Sequence, residues 1–129
     1  MVYCCCMERT GFHLLRFFIG ITFVWIGILI LQDPIGWSGY LEPWARNLLI
    51  LPIEMTMMIT GVFDVVVGVL FLLNLFVRWA GFLGALHIVV VLATSGLNEA
   101  TIRDIGILGG TLALAFSAHL YKRFLFWRL

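Results

Sequence analysis

Asp64 and His87 are the residues whose types and positions promise chemistry, because each lies inside an otherwise uncharged apolar run. Met55 to Leu73 is apolar or weakly polar apart from Asp64, and Trp79 to Gly96 holds no Lys, Arg, Asp or Glu around His87. As helices rising about 1.5 Å per residue, such runs cross the hydrocarbon core of a bilayer, with the carboxyl group near its midplane. An Asp there costs about 3 kcal/mol on insertion scales, so it must face a partner or a cavity rather than lipid. Counted from the turn the two runs share, Asp64 lies about 15 Å before Asn74 and His87 about 12 Å after Trp79. The two therefore sit at nearly one depth. A carboxylate beside imidazole in a low-dielectric setting can hold one shared proton or form the polar end of a small-molecule pocket. The competing reading is structural: Asp64 bonds to a hydroxyl, a backbone carbonyl or an interior water, and His87 serves another helix.

The remaining charged residues fall near the ends of the apolar runs. Glu54 is about 15 Å along the helix from Asp64, too far for a paired-carboxylate dyad. It is read with Arg46 and Arg103 as guarding an outer mouth, or as a wet boundary acid. Arg103 and Asp104 are placed at the opening of the last helix, where Asp104 would complement the helix N-terminus and Arg103 would pair with Glu99, Asp33 or Glu54. Arg16 and Arg78 are read as anchors at the inner boundary. His87 and His119 fall at different depths, which argues against one haem iron held by both within this chain. Cys4, Cys5 and Cys6 are adjacent, with no cysteine elsewhere to pair with, so neither a disulfide framework nor a metal set is expected. Surface thiols, acylation or an intermolecular contact remain open for them. No phosphate loop, dinucleotide fingerprint, nucleophile elbow or metalloprotease motif occurs.

The elements that must position these groups follow from composition. Of 129 residues, 63% are hydrophobic and only 12% charged, and the mean hydropathy is +1.10. Soluble domains carry about 25% charge, so this is a membrane composition, with no basic patch for nucleic acid. The expectation is an all-α protein, a single domain over residues 1–129, built as a four-helix transmembrane antiparallel bundle with helices at about 14–31, 52–73, 79–96 and 105–121. Trp37, Tyr40 and Trp44, mixed with Glu42, Pro43 and Arg46, make residues 35–49 an interfacial segment. Gly20 and Gly27 share one face of the first helix and suit close packing. With the N-terminus inside, Arg9, Arg16, Arg78, Lys122, Arg123 and Arg128 fall on the inner side and only Arg46 and Arg103 on the outer. That bias predicts both termini in the cytoplasm of a multi-pass cell-membrane protein.

Several stretches together resemble the DoxX/DoxD-like family of small membrane proteins. LLRFFIGITFVWIGILILQDPIGW, with Arg16, Gly20, Gly27 and the Asp33-Pro34 exit, is similar to that family's first helix. ITGVFDVVVGVLFLLNLFVRWAG is similar to its second helix and turn, with Gly61, Asp64, Gly68 and Arg78 on the recurring positions; the family more often carries Glu where Asp64 stands. TIRDIGILGG resembles the start of its fourth helix, at Arg103, Asp104 and Gly106. The resemblance implies a four-helix bundle in a functionally mixed group, in which some relatives are subunits of thiosulfate:quinone oxidoreductase and others associate with thiol or oxidative-stress proteins. The expected role is a small integral subunit of a membrane redox complex, not catalytic alone, with no cofactor of its own and a quinone at the interface with other membrane subunits. A small-solute or lipid-binding transport protein and a purely structural subunit are the alternatives.

Overall fold

The computed structural model describes residues 2–96 and 98–126, and the side chains within 10–96 and 98–117. Among the described residues it is all-helical, in the order α1 (Val2–Gln32), α2 (Pro34–Ser38), α3 (Pro43–Asn47), α4 (Ile53–Leu72), α5 (Val77–Ser95) and α6 (Glu99–Phe126). Four stretches, Thr10–Gln32, Ile53–Leu72, Val77–Ser95 and Glu99–Ser117, are long and apolar enough to cross a membrane. The side chains of Cys4, Cys5, Cys6, Arg9, His119, Lys122, Arg123 and Arg128 lie outside the described residues.

Helix packing follows the small residues. A Cβ added at Gly27 would stand 2.7 Å from the carbonyl oxygen of Gly61, and one added at Gly68 would stand 2.7 Å from that of Gly20. Only glycine permits α1 and α4 to meet backbone to backbone, and close approach substitutes for a hydrophobic driving force that lipid does not supply. Gly81 on α5 makes a similar contact with Ala115 on α6, where an added Cβ would meet the alanine at 2.9 Å. The closest pairs are accordingly α1 with α4 and α5 with α6, while α4 and α5, although joined by a tight turn, touch more sparsely. A short connection makes two helices neighbours; backbone access decides how close they come.

The helix ends are closed by specific groups. At the end of α4, the Leu75 N–H donates to Leu70 (2.9 Å) and the Asn74 N–H to Phe71 (3.1 Å), with Asn74 in the left-handed region at φ 58°. This is the double-bonded C-terminal turn that an Asn at C′ favours. The Arg16 guanidinium adds two donations to the same end, to the carbonyls of Phe71 and Leu72.

Two helix starts are corrected. The first helix begins at Val2 and not near residue 14, so Arg16 lies inside α1 and works on the end of α4 instead of anchoring a helix start. Within the stretch read as interfacial, α2 and α3 are each opened by a proline in the first turn. The last helix begins at Glu99 and not at Ile105. Asn98 opens it: its Oδ1 accepts from the N–H groups of Ala100 (2.9 Å) and Thr101 (3.1 Å), while Thr101 Oγ1 accepts from the Asn98 N–H (2.7 Å). That reciprocal arrangement satisfies the orphan donors of the first turn.

Candidate functional site

Below the level of Asp64 the bundle is closed. A Cβ at Gly84 of α5 would lie 3.2 Å from Phe23 of α1, 3.4 Å from Val67 of α4 and 3.6 Å from Thr111 of α6. All four long helices meet there. Phe71 and Leu114 are completely buried nearby in the same apolar core. Above it the two close pairs part, and a cavity of about 200 Å³ opens between them. Phe23, Ile26, Ile30, Met57 and Ile88 give it apolar walls, and Trp37, Tyr40 and Leu41 of the interfacial segment border it.

Asp64 and His87 line this cavity, with Asp64 Oδ1 and His87 Nε2 3.2 Å apart. Asp64 keeps 4% of its surface exposed, and the Phe63 ring lies beside the imidazole with centroids 4.9 Å apart. The pair is at ion-pair distance, yet the ring N–H is not aimed along the line to the carboxylate, and neither atom has a hydrogen-bond partner among the described residues. A buried polar atom left in that state costs about 1–3 kcal/mol, more when charged. A third group that donates to the oxygen and accepts from or donates to the ring nitrogen would recover that cost. Thr56 and Thr94 commit their hydroxyl protons to their own helices, bonding Pro52 and Val90 (3.2 and 2.9 Å), so they offer the cavity oxygen lone pairs.

Asp104 is the member that sequence reasoning misplaced. With Asn98 opening α6, Asp104 stands well past the first turn, 7% exposed, lining the cavity and within electrostatic reach of Asp64 and His87. It is not the cap of the helix. The signal was available: Thr101, Asp104, Ile107, Thr111 and Leu114 recur at helical spacing and all are buried, so the inner stripe of α6 extends back through the acid. Arg103 pairs with Asp104 itself at 3.5 Å, and not with Glu99, Asp33 or Glu54. Arg46 staples the interfacial segment, donating from Nε to Leu41 (3.1 Å) and from Nη2 to Ser38 (2.8 Å). Glu54 is exposed in the first turn of α4 and does not line the cavity. Arg78 is exposed, its guanidinium 6.0 Å from the Phe82 ring. Among the described residues no group of three His, Cys, Asp or Glu is arranged to hold a metal ion.

The sequence model of the DoxX family matches residues 11–97. This chain belongs to the DoxX family. The match spans the cavity-lining parts of α1, α4 and α5, with Asp64 and His87, and ends just before α6. Asp104 therefore joins the candidate site from outside the matched stretch. No curated protein and no solved structure matched the chain.

Proposed function

We propose that this DoxX-family chain is a small integral subunit of a membrane redox complex, and that Asp64 and His87 form a quinone or proton site where it meets partner subunits. Family membership and four candidate spans support the first part in general terms. One observation carries the second: a buried carboxylate oxygen 3.2 Å from an imidazole nitrogen, neither of them hydrogen-bonded, in a cavity of about 200 Å³. Intramembrane acids are expensive to keep, and a cavity of about 150 Å³ already accepts a benzene-sized ring. The chain is a single antiparallel domain in this reading, because Gly20 meets Gly68 and Gly27 meets Gly61 in reversed order. The excess of Lys and Arg on one side supports a reading with both termini in the cytoplasm.

Its mostly apolar walls also suit a small-solute or lipid-binding transport protein, the second reading. Purification in mild detergent, followed by identification of copurifying chains and of extracted quinone, haem and flavin, separates the two. Redox subunits and quinone in stoichiometric amounts support the proposal. A stable isolated oligomer that moves solute in vesicles, with no redox partner, contradicts it.

A further inference from the structure

We infer that the intramembrane site communicates with one water phase only, through a mouth under the α2–α3 segment, and that Asp104 is its third member, standing between that mouth and the Asp64–His87 pair. The inference goes beyond the redox reading, since it concerns what reaches the two residues whatever the chain assembles with.

Depth along the helices sets the order. From the end of the bundle where α4 and α6 begin and α5 finishes, Asp104 lies about 8 Å in, His87 about 12 Å and Asp64 about 16 Å at the rise of an ideal helix. The cavity is continuous over that distance, because it is lined by Tyr40 and Asn98 at one end and by Asp64 and His87 at the other. A second, more open hollow shares Tyr40, Leu41, Ser95 and Asn98 with it, so the border residues separate the cavity from the surface by one layer of side chains. α2 packs this layer on α4, and between residues 33–49 and the end of α5 the bond from the Glu42 N–H to the Thr94 carbonyl (2.9 Å) is the backbone hydrogen bond among the described residues. In the other direction Gly84 brings Phe23, Val67 and Thr111 within 3.2–3.6 Å of a Cβ position, leaving no width for water.

Asp64 lines the cavity with 4% of its surface exposed, and its buried, unpartnered Oδ1 is what a penetrating water or a ligand donor would satisfy. Asp104, 7% exposed, faces the same space and pairs with Arg103, whose side chain is half exposed. A donor moving in from the mouth meets this carboxylate first. Polar atoms at successive depths let a hydrated group enter without being stripped of every hydrogen bond at once. If both termini are cytoplasmic, the mouth faces the exterior.

The test is labelling of single cysteines in the full chain, in sealed vesicles of known orientation, after Cys4, Cys5 and Cys6 are replaced by Ser. A small membrane-impermeant cationic thiosulfonate is the probe, with Tyr40→Cys reporting the mouth face and Asn74→Cys the opposite one. Thr60→Cys and Asp64→Cys are expected to react at least about tenfold faster from the Tyr40 face than from the Asn74 face, and Val67→Cys from neither. Reaction of Thr60→Cys and Asp64→Cys from the Asn74 face, or from neither face, overturns the inference. Should Asp64→Cys not elute as the parent chain does, Thr60→Cys carries the test. Adding Asp104→Leu to Asp64→Cys is expected to slow labelling about tenfold while Asp104→Asn largely restores it. Equal rates in all three overturn the role of Asp104. Labelling is read without turnover, so this result and the redox reading stand or fall separately.

Discussion

The level of Gly84 and the level of Asp64 are built from the same four helices, yet the first is closed and the second hollow. At Gly84 the missing side chain on α5 lets Phe23, Val67 and Thr111 converge on one point. One turn nearer the mouth, α5 presents His87 to an acid on α4, and a second acid on α6 faces the same space. Asp64 and, about 8 Å nearer the mouth, Asp104 cannot close the bundle as apolar groups do, because each needs a donor or water. In a bilayer, where burial between helices gains little from hydrophobicity, the choice of small or ionisable residues at one level decides whether helices seal or part.

That contrast can be broken most severely at the glycine seam. Gly27→Val or Gly68→Val would drive a Cβ to 2.7 Å from a backbone oxygen of the facing helix. Each is expected to destabilise by about 3 kcal/mol or more, read from thermal unfolding in detergent micelles. Arg16→Met removes two charged donations to the end of α4 and is expected to cost about 2 kcal/mol in the same measurement. Asn98→Ala removes the cap of α6 and should cost about 1 kcal/mol, with hydrogen exchange rising first at Ala100 and Thr101. The hollow level should tolerate what the closed one does not: Thr60→Leu, extending into the cavity, is expected to change stability by less than about 1 kcal/mol. Smallest of all, Gly106→Ala and Gly109→Ala meet nothing within 4 Å and should stabilise α6 by about 0.5 kcal/mol.

Much of this was legible from residues alone, for identifiable reasons. Apolar runs of bilayer length gave four long helices, and the ends of α4 and α5 fell within two residues of expectation because Pro52, Asn74 and Gly96 punctuate them. Counting from the shared turn brought Asp64 and His87 to one depth, and they stand 3.2 Å apart. The start of α6 was missed because charged residues at positions 99, 103 and 104 read as loop; the Asn98–Thr101 capping pair outweighed them. Moving that boundary by six residues carried Asp104 from a helix cap into the cavity. The partners of Arg16 were hidden for a related reason. A cation in an apolar run suggests a boundary, and only the packing of α1 on α4 reveals the carbonyls of Phe71 and Leu72 as its partners. The parting of the two helix pairs was not visible either, since turn length ranks neighbours without ranking their separation.

The most direct measurement of the central claim is the rate of quinone-dependent electron transfer in the intact assembly carrying Asp64→Asn, which keeps the shape of the side chain and removes its titratable proton. Transfer slowed at least about tenfold, with normal assembly and an unchanged complement of partner chains, is the expected result. Transfer at the parental rate in a normally assembled complex would contradict a proton role for the pair.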